Sequence, residues 1–187
     1  VDAACQVAHA ISTHRVSMEF DFYTAVDDLK ADDSSGADMM GTVQFNSACF
    51  YRYLVVDVDE LIRNLGGKDD ESVKAARDAV VAFLRAAILA IPAAKQNSMA
   101  AQNLPSFVAA VVRDGGAPWS LANAFLKPVR ATEGDGDLMK ASISALDRHI
   151  GSLAGMYGVK GVREIAWAAL DRSEEHTSEL QSLRHLV

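Results

Sequence analysis

The sequence predicts an α+β protein, because strand-like segments are separated by two long amphipathic helices and no nucleotide-binding βα motif is present. The chain has 187 residues, half of them hydrophobic, which is enough for one domain with a substantial core. Its longest apolar stretch is interrupted by Arg85 and ended by Pro92, so it falls short of the ~20 residues of a membrane span. Cys5 and Cys49 are too few for a disulfide framework or a zinc site, and we expect reduced, buried thiols.

The first element, residues 1–16, has the alternation of a strand. His9 and His14 would then lie on opposite faces, which argues against a shared metal ion. We expect His9 to be a core or interface histidine, whereas His14 lies near the strand end.

A polar excursion follows at residues 17–40, with aromatic residues near its start and aspartates towards its tip. Phe20, Phe22 and Tyr23 either pack at the base of a hairpin or form a surface on which unpaired bases stack. Both interpretations remain open at the level of the sequence.

Residues 41–58, which include Arg52, are aromatic and β-branched and predict one long strand. A short helical turn at 59–65 should stop at Gly66 and Gly67. Apolar residues at intervals of three and four predict a helix over 70–91, begun by an aspartate cap and ended by Pro92. Its wide apolar stripe indicates that this helix covers a sheet.

The segment 93–103 is rich in amide side chains. Such side chains suit hydrogen bonds to sugar and phosphate oxygens and to base edges, and an ordinary polar loop is the alternative. The residues that would make these contacts are Lys95, Gln96, Asn97 and Ser98.

The remaining segments alternate between strand, turn and helix. Residues 105–112 predict a strand, 113–118 a turn and 120–129 either a strand or a short helix. The run at 132–137 lacks the spacing of a calcium loop and predicts a turn. A second amphipathic helix should span 137–157 and close at Gly158, before a final strand or helix at 162–170.

The last sixteen residues are expected not to belong to the domain. RSEEHTSELQS, at 172–182, resembles the translation of a sequencing-library adapter, and LRHLV would be further read-through. We therefore predict one domain at 1–171 and an assembly artefact at 172–187, with a genuine terminal helix as the alternative. The chain starts with Val1 rather than Met, so we expect natural sequence upstream of it.

Five separated motifs carry a family resemblance. VAHAISTHRV, DFYTAVDDL, FNSACFYRY, IPAAKQNS and SLANAFLKPV, in this order, resemble the CasC (Cse-type) family, the repeated backbone subunit of the type I-E CRISPR Cascade complex. The resemblance implies a partial ferredoxin-like (RRM-like) palm with a thumb hairpin inserted at about 18–45. It places 120–129 near a contact between subunits. It implies a prokaryotic cytoplasmic protein that binds CRISPR guide RNA, target DNA through that guide, copies of itself and other Cascade subunits, without a membrane or a cofactor.

The resemblance and the polar segments together give the predicted RNA-binding set, which is Lys95, Gln96, Asn97, Ser98, His14, Phe20, Phe22, Tyr23 and Arg52. In the family a glycine usually stands beside the lysine, where this chain has Ala93 and Ala94. Alanine resists positive φ, so a close approach of the backbone to phosphate is less favoured there.

Three functional hypotheses follow from the sequence. No catalytic motif is found, so the leading hypothesis is a non-catalytic scaffold that polymerises along the guide RNA for antiviral DNA targeting. The alternative is a metal-dependent ribonuclease with Asp32 or Asp33 in its site, as in related CRISPR backbone subunits. The third is an α+β interaction domain without RNA. The net charge of −7 argues against non-specific phosphate binding.

Overall fold

The structure is a computed structural model that describes residues 2–25, 39–67, 69–93, 95–131 and 137–170. Eight strands, four α-helices and one 3₁₀ helix are found within these ranges. In chain order they are β1 Cys5–Val7, β2 Ile11–Ser12, β3 Glu19–Ala25, β4 Met39–Phe45, β5 Phe50–Tyr51, β6 Leu54–Val56, α1 Val58–Asn64, α2 Asp70–Leu89, α3 Gln96–Met99, β7 Phe107–Arg113, the 3₁₀ helix Ala122–Phe125, α4 Leu138–Tyr157 and β8 Val162–Ala169.

The first six strands form one interrupted antiparallel ribbon. β1 pairs with β6, β2 with β5 and β3 with β4, so the chain runs out along three strands and returns along three. The register slips by one residue between the first two pairs and by two residues before β3 and β4. Both slips place the extra residues on the outgoing leg, and such irregularities bend a ribbon.

These slips correct two predictions from the sequence. The expected single strand at 1–16 is divided into β1 and β2, and the expected long strand at 41–58 is divided into β4, β5 and β6. Alternation of side chains does not reveal a slip, because a slip depends on the partner strand. His9, expected in a core or an interface, is exposed in this ribbon.

The first two helices follow their capping residues. The Asp57 carboxylate accepts from the Glu60 N–H, and the Asp69 carboxylate accepts from the Ser72 N–H. α1 ends before two glycines, and α2 ends at Leu89 because the residue preceding Pro92 disfavours helical backbone. Both helix predictions are confirmed.

The expected packing of α2 is wrong. Among the described elements, α2 packs chiefly against α1 instead of covering a sheet. Ser72 and Ala76 are its buried residues, so its close contact is made by small side chains. The broad apolar stripe further along the helix is only partly covered.

The C-terminal half holds the hydrophobic core. β7 and β8 pair antiparallel, and α4 places Ile150 against Ile165 of β8. Partly buried residues surround this pair: Phe107, Leu121, Ala154, Val159, Val162 and Trp167. The helix predicted at 137–157 and the strand predicted at 105–112 are confirmed. Of the two possibilities left open at 162–170, the strand is observed, and 120–129 contains the short 3₁₀ helix. Of the predicted turn at 132–137, residues 132–136 lie outside the described ranges.

Two sets of contacts join the ribbon to the C-terminal half. The hydroxyls of Thr13 and Ser142 are 2.8 Å apart, and Thr13 is 2% exposed. The Tyr51 hydroxyl accepts from the Leu121 N–H at 2.9 Å, while its ring contacts Phe125 with centroids 5.6 Å apart. Burial of the Tyr51 hydroxyl raises its pKa above the ordinary value. The ribbon is therefore anchored to the core at its middle.

The predicted mixture of helices and strands is confirmed. The described strands form two-stranded antiparallel pairs, so the ferredoxin-like palm stays a prediction. Cys5 and Cys49 are free thiols and partly buried. In the described ranges, no helix is both long and apolar enough to span a membrane. The predicted artefact at 172–187 lies outside the described residues.

Candidate nucleic-acid interface

The hairpin formed by β3 and β4 presents two different faces. Phe20 and Phe22 lie on one face and are 55% and 74% exposed. Their cross-strand partners are Gln44 and Thr42, which are neutral and exposed. This phenylalanine face, defined by these four residues, combines flat apolar rings with uncharged hydrogen-bonding groups. It could stack unpaired bases without placing a carboxylate beside them.

The opposite face is acidic and partly packed. Strand alternation places Tyr23 with Glu19 and Asp21, and it faces Gly41 across the ribbon. A Cβ at Gly41 would lie 2.6 Å from Cε1 of Tyr23, so the ring rests where a side chain would otherwise stand. Tyr23 was predicted to bind RNA together with the phenylalanines. The structure separates it from them and gives it a packing contact.

Lys95 lies at the root of the hairpin. Its backbone has a left-handed φ of 53°, and its Nζ donates to the Gln44 carbonyl at 2.9 Å. The same ammonium group lies 5.4 Å from the centroid of the Phe45 ring. Positive φ thus falls on the lysine itself, while Ala94, which precedes it where the resemblance implies a glycine, lies outside the described residues.

The short helix α3 follows Lys95 directly. Gln96, Asn97 and Ser98 are all exposed on it, and the Ser98 hydroxyl donates to the Lys95 carbonyl at 3.3 Å. The structure therefore brings Lys95 and its three polar neighbours to the base of the hairpin. The amide groups of Gln96 and Asn97 are accessible to a ligand there.

Arg52 and His14 have contacts within the protein. Arg52 Nη1 donates to the Ala90 carbonyl at 3.2 Å, where α2 ends. His14 Nε2 accepts from the Cys49 N–H at 3.1 Å, and Nδ1 lies 2.8 Å from the Arg15 carbonyl. Both ring nitrogens of His14 thus have backbone partners.

A basic groove lies beside this region, and sequence reasoning did not identify it. The groove has a volume of about 490 Å³ and is bordered by Lys127, Arg130, Lys140 and Arg148, with Asp137 as its acidic residue. Among the lining residues that the structure describes, four cations stand against one carboxylate, whereas the chain as a whole is acidic. The groove therefore offers a local site for anions, such as phosphate groups.

One part of the groove had a signal in the sequence. Lys140, Ser144 and Arg148 recur every four residues along α4, so they share one face of the helix. The opposite wall, which follows the 3₁₀ helix and includes Lys127 and Arg130, comes from a segment without regular periodicity. Lys127 matched a family motif placed near a subunit contact.

The catalytic residues of the ribonuclease hypothesis lie outside the residues that the structure describes. Asp32 and Asp33 lie within 26–38, outside the described residues. Among the residues that are described, no group of three or more histidine, cysteine, aspartate or glutamate side chains could hold a metal ion. The ribonuclease hypothesis accordingly stays a prediction.

Comparisons with known proteins place the chain in a family. No curated protein matches the sequence. One similar solved chain comes from a CRISPR RNA-guided surveillance complex, with 29% identity and a TM-score of 0.74 over 99% of this chain and 71% of that one. Another, from a CRISPR RNA-guided surveillance complex described as pre-nicking, has 29% identity and a TM-score of 0.73 over 100% of this chain and 50% of that one. Because the family model described as CT1975-like protein matches residues 1–187, the chain belongs to the CT1975-like protein family.

Proposed function

We propose that the chain is a CasC-type backbone subunit of a type I-E CRISPR effector complex and that it holds guide RNA without cleaving it. The observation that carries the proposal is the similarity, over nearly the whole chain, to a chain of a CRISPR RNA-guided surveillance complex. The five sequence motifs support the finer assignment to CasC. Copies of the subunit would follow one another along the guide, together with other Cascade subunits, in a prokaryotic cytoplasm.

The phenylalanine face of the hairpin would contact bases of the guide. Phe20 and Phe22 are among the exposed aromatic side chains of the described residues, and stacking contributes about 1–3 kcal/mol per base. Stacking does not depend strongly on base identity, which suits a subunit that must accept any guide. Lys95 and the side-chain amides of α3 would contact the same RNA strand at the root of the hairpin.

The basic groove would hold phosphates of the same nucleic acid. Its arginine and lysine side chains can neutralise phosphate charge and release condensed counterions, although the whole chain is acidic. The groove adjoins the ribbon, since the N–H of Val129 in its wall donates to the Thr13 carbonyl at 2.9 Å. An RNA strand held in the groove would therefore have a short path to the root of the hairpin.

A scaffold of this kind does not need to recognise sequence itself. Base pairing between guide and target supplies the specificity, while the protein holds the backbone and shapes the guide for pairing. We assign cleavage to other components of the complex.

The test is to purify the full chain co-expressed with other Cascade subunits and to sequence and quantify the RNA that accompanies it. Phe22→Ala and Lys95→Ala should each reduce the bound RNA. Tyr157→Ala and Lys74→Ala are matched controls, because both side chains are exposed on helices outside the proposed interface. The proposal expects repeat-spacer RNA of uniform length in the wild type and in both controls.

Two results would contradict the proposal. If the assembled wild type carries no RNA, the chain is an interaction domain. If metal-dependent RNA cleavage is seen and is lost in Asp32→Ala or Asp33→Ala, the protein is a ribonuclease.

A further inference from the structure

The backbone around His14 is held firmly by the body of the protein. Thr13 is buried and bonded to Ser142 of α4, and its carbonyl accepts from the Val129 N–H. The Ser12 hydroxyl donates to the His14 carbonyl at 2.8 Å and lies 3.3 Å from the His14 N–H. The imidazole therefore projects from a fixed point.

From this point the imidazole reaches the other leg of the ribbon. The Cys49 N–H donates to Nε2 across a separation of 35 residues in the chain. A backbone N–H can only donate and a carbonyl can only accept, so Nε2 must carry the lone pair and Nδ1 must carry the proton that binds the Arg15 carbonyl. The contacts thus select the neutral Nδ1–H tautomer.

This contact lies at the junction between two parts of the ribbon. The β2–β5 pairing ends at Ser12 and Phe50, and the β3–β4 pairing begins at Glu19 and Phe45. Between them the outgoing leg has two more residues than the returning leg, so regular pairing cannot continue. One backbone bond, from the Thr13 N–H to the Cys49 carbonyl at 2.9 Å, extends the ladder into the junction. The imidazole bonds the N–H of the same Cys49.

We propose that His14 is a positioning residue that fixes the direction in which the β3–β4 hairpin leaves the body. It was predicted from the sequence to contact RNA directly. The structure assigns it instead to the Cys49 N–H, so its effect on RNA is exerted through the phenylalanine face. The part of this inference that concerns RNA rests on the proposed function, whereas the part that concerns the hairpin does not.

The test distinguishes the hydrogen bond that Nε2 accepts from the hydrogen bond that Nδ1 donates. His14→Gln can place an amide oxygen near the position of Nε2 and keep the bond from Cys49. His14→Asn can keep only the donor near Nδ1, and His14→Ala removes both. His9→Ala is the matched control, because His9 is an exposed histidine of the same ribbon. Each variant is made in the full chain. The RNA bound to each purified variant is quantified, and amide hydrogen exchange is measured on the same sample.

The expected pattern is specific to the junction. His14→Ala and His14→Asn should raise the exchange rate of the Cys49 amide by about tenfold, the loss of roughly one hydrogen bond. They should also raise exchange in β3 and β4 and lower the bound RNA several-fold. His14→Gln and His9→Ala should behave like the wild type, and exchange in β7 and β8 should not change.

Other outcomes would overturn the inference. Unchanged exchange at Cys49 in His14→Ala would show that the bond is not made. Equal increases throughout the chain would mean that His14 only stabilises the fold, and wild-type behaviour of His14→Asn would assign the effect to the Arg15 contact. If no variant or wild type carries RNA, the proposed function fails, but the exchange pattern still decides whether His14 holds the hairpin.

Discussion

Arg148 of α4 provides the sharpest test of the basic groove. It is one of the four basic side chains that border the groove, so Arg148→Gln removes one phosphate contact while keeping a long polar side chain. Each such contact contributes about 0.7 to the slope of log K against log salt for a single strand. At about 0.1 M salt this corresponds to roughly 1 kcal/mol, or about a fivefold loss of affinity. The loss should shrink as the salt concentration approaches about 1 M.

The assay is fluorescence anisotropy of a labelled single-stranded RNA, titrated with the chain over about a tenfold range of salt. Arg77→Gln is the matched control, because Arg77 is exposed on α2 and does not border the groove. We expect the slope to fall for Arg148→Gln and to stay unchanged for Arg77→Gln. An unchanged slope for Arg148→Gln, or an equal decrease for both variants, would refute the assignment of phosphate binding to the groove.

Three further predictions concern the hairpin, a helix cap and the core. Gly41→Ala should displace the Tyr23 ring and cost about 1 kcal/mol of unfolding free energy, with more Tyr23 iodination; unchanged iodination would contradict the packing. Hydrogen bonds from Ser72 lower the pKa of Asp69 in the folded protein. The cap therefore stabilises the fold at pH values above the pKa of the unfolded carboxyl, and this stabilisation is lost as the pH falls through the folded pKa. Asp69→Ala should therefore lower the melting temperature at neutral pH, and this gap should close as acid protonates Asp69 in the folded protein; a gap that stays the same would refute this. Ile165→Ala should cost about 2–5 kcal/mol in urea unfolding and Ile165→Val about 0.5–1.5; similar costs would contradict close packing.

Local signals in the sequence predicted the two long helices well. α2 and α4 have aspartate caps and regular apolar spacing. Both signals lie within the segment of chain that forms the helix, or directly before it. α2 ends two residues before the predicted boundary, because Pro92 restricts the residues that precede it. The packing of α2 could not be predicted in the same way, since a wide stripe does not specify its partner.

Interactions between distant segments were not visible in the sequence. The breaks in the ribbon depend on register and on the contact of His14 with the Cys49 N–H, which joins residues far apart in the chain. Arg52 was part of the predicted RNA-binding set. Its actual partner, the Ala90 carbonyl, is known only once α2 has been placed.

The candidate site was predicted only in part, because some of its residues come from segments that are distant in the sequence. Phe20 and Phe22 could be singled out from the polar segment around them, with packing and base stacking both left open, and Lys95 could be singled out from its amide-rich neighbours. Tyr23 shares the same short segment but turns to the other face of the strand. The groove was missed because its two walls come from different elements, only one of which is periodic.

The most direct test of the central claim is ultraviolet crosslinking of RNA to the assembled chain, followed by mass spectrometry of the crosslinked peptides. We expect crosslinks to Phe20 and Phe22 of the hairpin, and to peptides that border the basic groove. We expect none to Tyr157, an aromatic residue of similar exposure at the far end of α4. Crosslinks confined to α2 or to Tyr157, with the hairpin unlabelled, would contradict the claim that this hairpin holds the guide.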